Sequence, residues 1–150
     1  MTVKVQEQDF DISVETAALR AACGAGVGAV ALFIGTVRDM NEGANVSTMT
    51  LEHYPGMTEK SLLSICKKAQ TRWNIFEPLV IHRVGPLLPK DQIVLVAVAS
   101  AHRGEAFAAC EFIMDYLKSE APFWKKEQTP EGERWVDARV SDDVTLKKWQ

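Results

Sequence analysis

Cysteine is scarce in this 150-residue chain. Cys23, Cys66 and Cys110 make an odd number, and no Cys-x-x-Cys occurs. That spacing indicates neither a disulfide framework nor a zinc knuckle. Histidine is equally sparse. His53, His82 and His102 share no metal-ligand spacing, so no metal and no cofactor is expected. Long apolar runs are missing too. The longest clean one, Ile93 to Ala99, is far too short to span a bilayer. The N-terminus has no basic stretch leading into an apolar one, so no signal peptide is expected. A basic excess is also absent. The 17 Lys and Arg face 20 Asp and Glu, and the net charge of −3 argues against general nucleic-acid binding. Repeats, low-complexity stretches, a Walker lysine motif, HExxH and GxSxG are all lacking. Gly24-Ala-Gly-Val-Gly-Ala29 imitates a dinucleotide-binding turn, but it follows a helix and precedes a strand, the reverse of the required order. These absences leave a cytoplasmic protein with no membrane or nucleic-acid partner as the expectation.

What is present is an ordinary globular balance, 47% apolar and 25% charged, over a length that suits one domain, residues 1–150. Val3 to Val5 opens as a strand. Ser13 is placed to cap a helix from Val14 to Cys23, stopped by Gly24. Val27 to Val37 is almost continuously apolar and reads as a strand buried on both faces. Arg38 to Asn45 reads as a mobile polar loop, and Val46 to His53 as a strand. Leu62, Cys66, Ala69 and Trp73 form one stripe of a helix over Gly56 to Trp73. Leu79 to Val84 and Ile93 to Ala99 are further strands. In a helix over Gly104 to Lys118, one apolar face collects Ala106, Phe107, Cys110, Ile113, Met114 and Leu117. A hairpin from Phe123 to Val140 turns at Thr129 to Gly132. Strands and helices mixed in this order, with a terminal hairpin, predict an α+β fold.

Several cations stand where ordinary folding does not ask for them. His102 and Arg103 open a helix, against the macrodipole, and a bound anion would resolve that conflict. Taken alone they are as readily a solvated Arg and a gap-filling His. Arg38 is delivered by a buried strand to the start of a loop, where ligands commonly sit, though an exposed Arg with no role reads equally well. Lys118 ends a helix, where a lysine normally just complements the dipole. Strand alternation puts Lys125 on the face opposite Trp124 and Lys126, where partial burial would lower its pKa. Arg139 falls in the last strand. If these six cations converge, the pocket suits one phosphate and one carboxylate. The cysteines sit on apolar helix faces, so burial is expected of them rather than persulfide chemistry.

Seven stretches, in order, carry a resemblance. They are Phe33-Ile-Gly-Thr-Val-Arg-Asp39, Leu51-Glu-His-Tyr-Pro-Gly-Met57, Ile81-His-Arg-Val-Gly85, Ser100-Ala-His-Arg103 running into Glu105-Ala-Phe107, Met114-Asp-Tyr-Leu-Lys118, Ala121-Pro-Phe-Trp-Lys-Lys-Glu127 and Arg134-Trp-Val-Asp-Ala-Arg139. From residue 28 to 140 the chain resembles the large, catalytic subunit family of molybdopterin synthase. The resemblance implies an α/β hammerhead-like mixed sheet with packed helices plus a small antiparallel sheet. It implies a sulfurtransferase of molybdenum cofactor synthesis. Two sulfurs pass in turn from the C-terminal thiocarboxylate of a small ubiquitin-like subunit to cyclic pyranopterin monophosphate, giving the molybdopterin dithiolene. The assembly it implies is a heterotetramer around a homodimer of large subunits. Carried over, Lys118 and Lys125 are catalytic. Thr36, Val37, Arg38, His102, Arg103, Lys126, Glu127 and Arg139 bind substrate, with Thr36 standing where some relatives carry a basic residue. Two other readings are a non-catalytic scaffold that docks a ubiquitin-like tail and a Schiff-base lysine enzyme acting on a phosphorylated carbonyl compound.

Overall fold

The computed structural model describes residues 2–41, 43–136 and 144–150. Strand β1 (Thr2–Gln6) and helix α1 (Ile12–Cys23) come first. Next are β2 (Ala29–Thr36), the two-residue strands β3 (Met40–Asn41) and β4 (Ala44–Asn45), and β5 (Thr48–His53). Helix α2 (Met57–Arg72) leads to β6 (Leu79–Arg83), β7 (Gly85–Leu87) and β8 (Gln92–Ser100). Helix α3 (Arg103–Glu120) and the hairpin β9 (Phe123–Thr129) with β10 (Gly132–Val136) follow. Among the described residues, no helix is long and apolar enough to cross a membrane.

The strands form two four-stranded sheets. One has the order β1-β6-β8-β2 and is mixed, because β1 runs parallel to β6 while the other pairs are antiparallel. The other, β10-β9-β5-β7, is antiparallel throughout. This is the α+β arrangement that the order of elements predicts.

Strand β8 is the spine. Val94 through Ser100 are buried without a break, so alternate side chains need cover on both faces. Val94, Val96 and Val98 pack beneath Leu62 and Ile65 of α2 and Ala109 and Ile113 of α3. Leu95 and Ala97 face the other way, with Leu79, Ile81 and Phe10, under α1. Each fully buried Val or Leu contributes about 1.5–3 kcal/mol.

Four expectations change. β2 is an edge strand rather than one buried on both faces, and Leu32 and Phe33 are 42% and 41% exposed. An unbroken apolar run does not reveal whether a strand has a neighbour on each side. The cap of α1 is Asp11, whose Oδ1 accepts from the Val14 N–H at 3.1 Å, and not Ser13. Phe107, assigned to the apolar face of α3, is 65% exposed. Instead of a free loop, Met40–Asn41 and Ala44–Asn45 pair as a ribbon.

Two side chains tie the layers together. The fully buried Thr58 hydroxyl accepts from the Tyr54 N–H at 3.0 Å and donates to the Pro122 carbonyl at 3.1 Å. It thus links the start of α2 to the connection between α3 and β9. Near the end of the chain, Trp149 donates its Nε1–H to Asp115 Oδ2 at 2.7 Å and meets Trp73 and Phe112 edge-on, each at 5.5 Å. Arg72 donates to the Trp149 carbonyl at 2.6 Å. Trp149→Ala is expected to lower unfolding stability by about 2–3 kcal/mol, since a half-buried indole and its hydrogen bond are lost together. Urea denaturation checks this, through a lower midpoint at an unchanged slope.

Candidate active site

A cleft of about 520 Å³ opens where the end of β2, the end of α3 and the β5–β9–β10 face meet. Its floor is apolar, from Met49 and Leu51 of β5 and Met114 and Leu117 of α3. Backbone geometry delivers its polar groups. At Gly35 a Cβ would stand 2.8 Å from the Val94 side chain, and the β2–β8 register shifts between Gly35 and Thr36. Just beyond, the Val37 N–H donates to Asp91 O at 2.9 Å and Val37 O accepts from the Lys90 N–H at 2.8 Å. With Val37 pinned and buried, the next residue, Arg38, is presented at the cleft.

Lys118 enters from the last turn of α3 and Lys125 from β9, after the short connection that Thr58 fastens. Alternation along β9 sends Phe123, Lys125 and Glu127 into the cleft. Lys126 points to the other face, 3.0 Å from Glu133, with its ammonium 5.6 Å from the Trp135 ring centroid. Lys126 therefore does not line the cleft.

Glu127 lines it but is already engaged. Only 3% exposed, it accepts from Arg134 Nε and Nη2 on Oε1, at 3.1 and 3.0 Å, and from Asn41 Nδ2 on Oε2 at 2.9 Å. Arg134 also donates to the Asn41 carbonyl at 2.8 Å. The carboxylate thus holds the β3–β4 ribbon against the hairpin, and a substrate contact is not its evident task. Hairpin symmetry could have found this pair, because Arg134 lies directly opposite Glu127 in register. Arg134→Ala is expected to cost about 2–3 kcal/mol by stranding a buried carboxylate. Faster protease cleavage in residues 38–45 should accompany the stability loss.

His102 and Arg103 are exposed at the start of α3, and neither lines the cleft. Fifteen residues of helix separate Arg103 from Lys118, about 22 Å along the axis. Within one chain, His102 and Arg103 therefore do not join Arg38, Lys118 and Lys125. Arg139 lies outside the described residues.

His82 of β6 went unnoticed in the sequence except as a failed metal ligand. It lies in the cleft wall, 5% exposed, stacked on Phe123 with centroids 3.8 Å apart and ring planes at 17°. Burial, then the positive charges of Lys125, Lys118 and His53, push its pKa down to about 3, while the hydrogen bond to the Arg83 carbonyl acts the other way. Between pH 3 and its unfolded value near 6.5 the unfolded chain alone binds this proton, so acid destabilises the fold. Unfolding stability measured from pH 7 down to pH 4 is expected to fall less steeply in His82→Phe than in wild type.

None of the three cysteines lines the cleft. Burial pushes Cys66 and Cys110 up to about 12, and Cys23 is raised by the same cause. Among the described residues, no cluster of His, Cys, Asp and Glu is arranged to hold a metal.

The sequence profile of the MoaE protein family matches residues 5–120. The chain is similar to the molybdopterin synthase catalytic subunit of Ralstonia nicotianae, at 69% identity over 99% of this chain and 84% of that one. It superposes on the molybdopterin biosynthesis MoaE protein of Burkholderia ambifaria with a TM-score of 0.85, at 58% identity over 99% of this chain and 97% of that one. The molybdopterin synthase structure from Staphylococcus aureus matches with a TM-score of 0.82, at 30% identity over 89% and 96% of the two chains.

Proposed function

Because this chain belongs to the MoaE protein family, we infer that it is the catalytic subunit of a molybdopterin synthase, a sulfurtransferase of molybdenum cofactor synthesis. Its substrate on this reading is cyclic pyranopterin monophosphate. The sulfur arrives on the C-terminal thiocarboxylate of a small ubiquitin-like subunit, and the compartment is the cytoplasm. The observation that carries this reading is a cleft holding Arg38, Lys118 and Lys125 in an acidic chain, with no cysteine among its described lining residues. Such a site suits an anionic sulfur donor supplied from outside and an anionic substrate. Fixed cations over an apolar floor anchor the phosphate and hold the thiocarboxylate in place for attack on the pterin. Lys118, at the rim, meets the incoming tail. Lys125, half-buried, sits deeper, where a lysine can also move a proton.

A homodimer gives His102 and Arg103 a place in the same chemistry. β2 is a sheet edge with Leu32 and Phe33 exposed at its midpoint, a surface that solitary proteins usually protect. A two-fold axis at that midpoint would pair β2 with a second copy of itself, antiparallel. The start of β2 lies beside Ser100, just before His102, and its far end leads to Arg38. The strand's length of about 23 Å nearly equals the separation along α3. Such pairing would therefore carry His102 and Arg103 of one copy toward the cleft of the other.

Reconstitution with a thiocarboxylated small subunit and cyclic pyranopterin monophosphate tests the function. Lys118→Ala and Lys125→Ala are each expected to remove most product while remaining folded, and Cys110→Ala to leave turnover intact. A stable complex without product would favour a docking scaffold instead. The dimer is tested by mixing. Arg103→Ala and Lys125→Ala chains, each inactive alone, should regain about a quarter of wild-type turnover after random 1:1 exchange, because about half the dimers are then mixed and each mixed dimer has one of its two composite sites intact. No recovery would place both residues in the same chain's site or outside it.

A further inference from the structure

The turn between β7 and β8 is built against the local preference of its sequence. In Leu88-Pro89-Lys90-Asp91 the Asp91 N–H donates to the Leu88 carbonyl at 3.0 Å. Pro89 takes the second position and Lys90 the third, at φ +79°. A closed four-residue turn with proline second and a positive φ third is of type II, and its third position favours glycine. Here an exposed lysine occupies it. A type I turn, which proline also suits, would spare Lys90 the left-handed backbone. The two types differ by a flip of the peptide between Pro89 and Lys90, and so in where the Lys90 N–H points. It points at Val37, whose carbonyl accepts it at 2.8 Å, while the Asp91 carbonyl accepts the Val37 N–H at 2.9 Å. The strained form of the turn is thus the one that takes both backbone groups of the residue before Arg38.

The side chain of Asp91 braces that form, because its Oδ2 accepts the Leu88 N–H at 2.8 Å. The brace matters because β2 loses its register with β8 between Gly35 and Thr36, and Thr36 is its last paired residue. Beyond it, the turn sets the direction of the chain. Val37 is buried and Arg38 lines the cleft, whereas Lys90 and Asp91 do not.

We propose that Asp91 is a positioning residue for Arg38: its carboxylate holds the 88–91 turn in the form that grips Val37, and that grip sets where the guanidinium meets the substrate's anion. This rests on the reading of Arg38 as an anion anchor. Asp91 touches no substrate and acts through Arg38 alone.

Kinetics of the reconstituted synthase and amide hydrogen exchange on the same full-length variants test it. Arg38→Ala sets the scale, with KM for cyclic pyranopterin monophosphate raised about ten-fold or more, as for a lost hydrogen bond to a charged group. Asp91→Ala should raise KM by a part of that, about five-fold, with kcat little changed and faster exchange of the Val37 amide. Asp91→Asn, whose amide oxygen can still accept from Leu88, should recover most of the loss. In an Arg38→Ala background, Asp91→Ala should raise KM no further, because both effects pass through one side chain. Effects that multiply in the double variant overturn the proposal, as does an unchanged KM in a folded Asp91→Ala. Should Asp91→Ala fail to fold, position 90 decides. Lys90→Gly keeps the N–H and suits the positive φ, so its KM should match wild type, while the branched side chain of Lys90→Val should raise KM. Equal KM in those two variants overturns the proposal. A normal KM in Arg38→Ala would sink the anchor reading itself and the proposal with it, a result distinct from an impaired Arg38→Ala beside a normal Asp91→Ala.

Discussion

Everything in this molecule is arranged around the need to cover strand β8 on both faces. Its run of Val94 to Ser100 cannot touch water, so α2 and α3 close one side and α1 with Phe10 closes the other. Because β2 pairs with β8 along nearly its whole length, that burial also fixes where β2 ends. The same helix that seals the core carries Lys118 in its last turn. The position of the cleft is therefore a by-product of core packing. Arg38 and Lys118 reach it because a strand and a helix laid on one buried strand both terminate there.

The electrostatics of the cleft follow from what its acid is doing. In a chain with three more acids than bases, a cleft that gathers Arg38, Lys118 and Lys125 is helped when the carboxylate in its lining is engaged by structure. Glu127 is turned onto Arg134 and Asn41, so its charge is spent on structure. His82 extends the same logic, since its burial keeps it from adding a charge or removing one.

The helices were the most legible parts of the sequence. The stripe of Leu62, Cys66 and Ala69 is fully buried, as a 3.6-residue period requires. The alternation Phe123, Lys125, Glu127 was readable too, because period two fixes a face without knowing the partner. β2 was not readable as an edge, since apolar content records what a strand can bury and not which neighbours it has. Phe107 misled for a related reason: the step of about 100° from Ala106 sets it at the flank of the seam while the pattern still looks continuous. The separation of His102 and Arg103 from Lys118 was in the sequence all along, as fifteen helical residues of rise. Both the excess of cations and the resemblance suggested that they belong together, yet within one chain the helix holds them apart. His82 was illegible because its significance lies in the Arg83 carbonyl and the Phe123 ring, contacts that no local pattern encodes.

The two-way hydrogen bond of Thr58 has a consequence for how freely this sequence can drift. Its hydroxyl must accept from Tyr54 and donate to Pro122, a residue 64 positions away. Serine retains both abilities. Valine, of nearly the same shape, retains neither and would leave a part-buried amide and a part-buried carbonyl without this partner. Pro122 lies in the short connection that separates Lys118 from Lys125. The distance between those two ammonium groups thus depends on an alcohol in another helix, and neutral variation at position 58 is confined to residues that carry one.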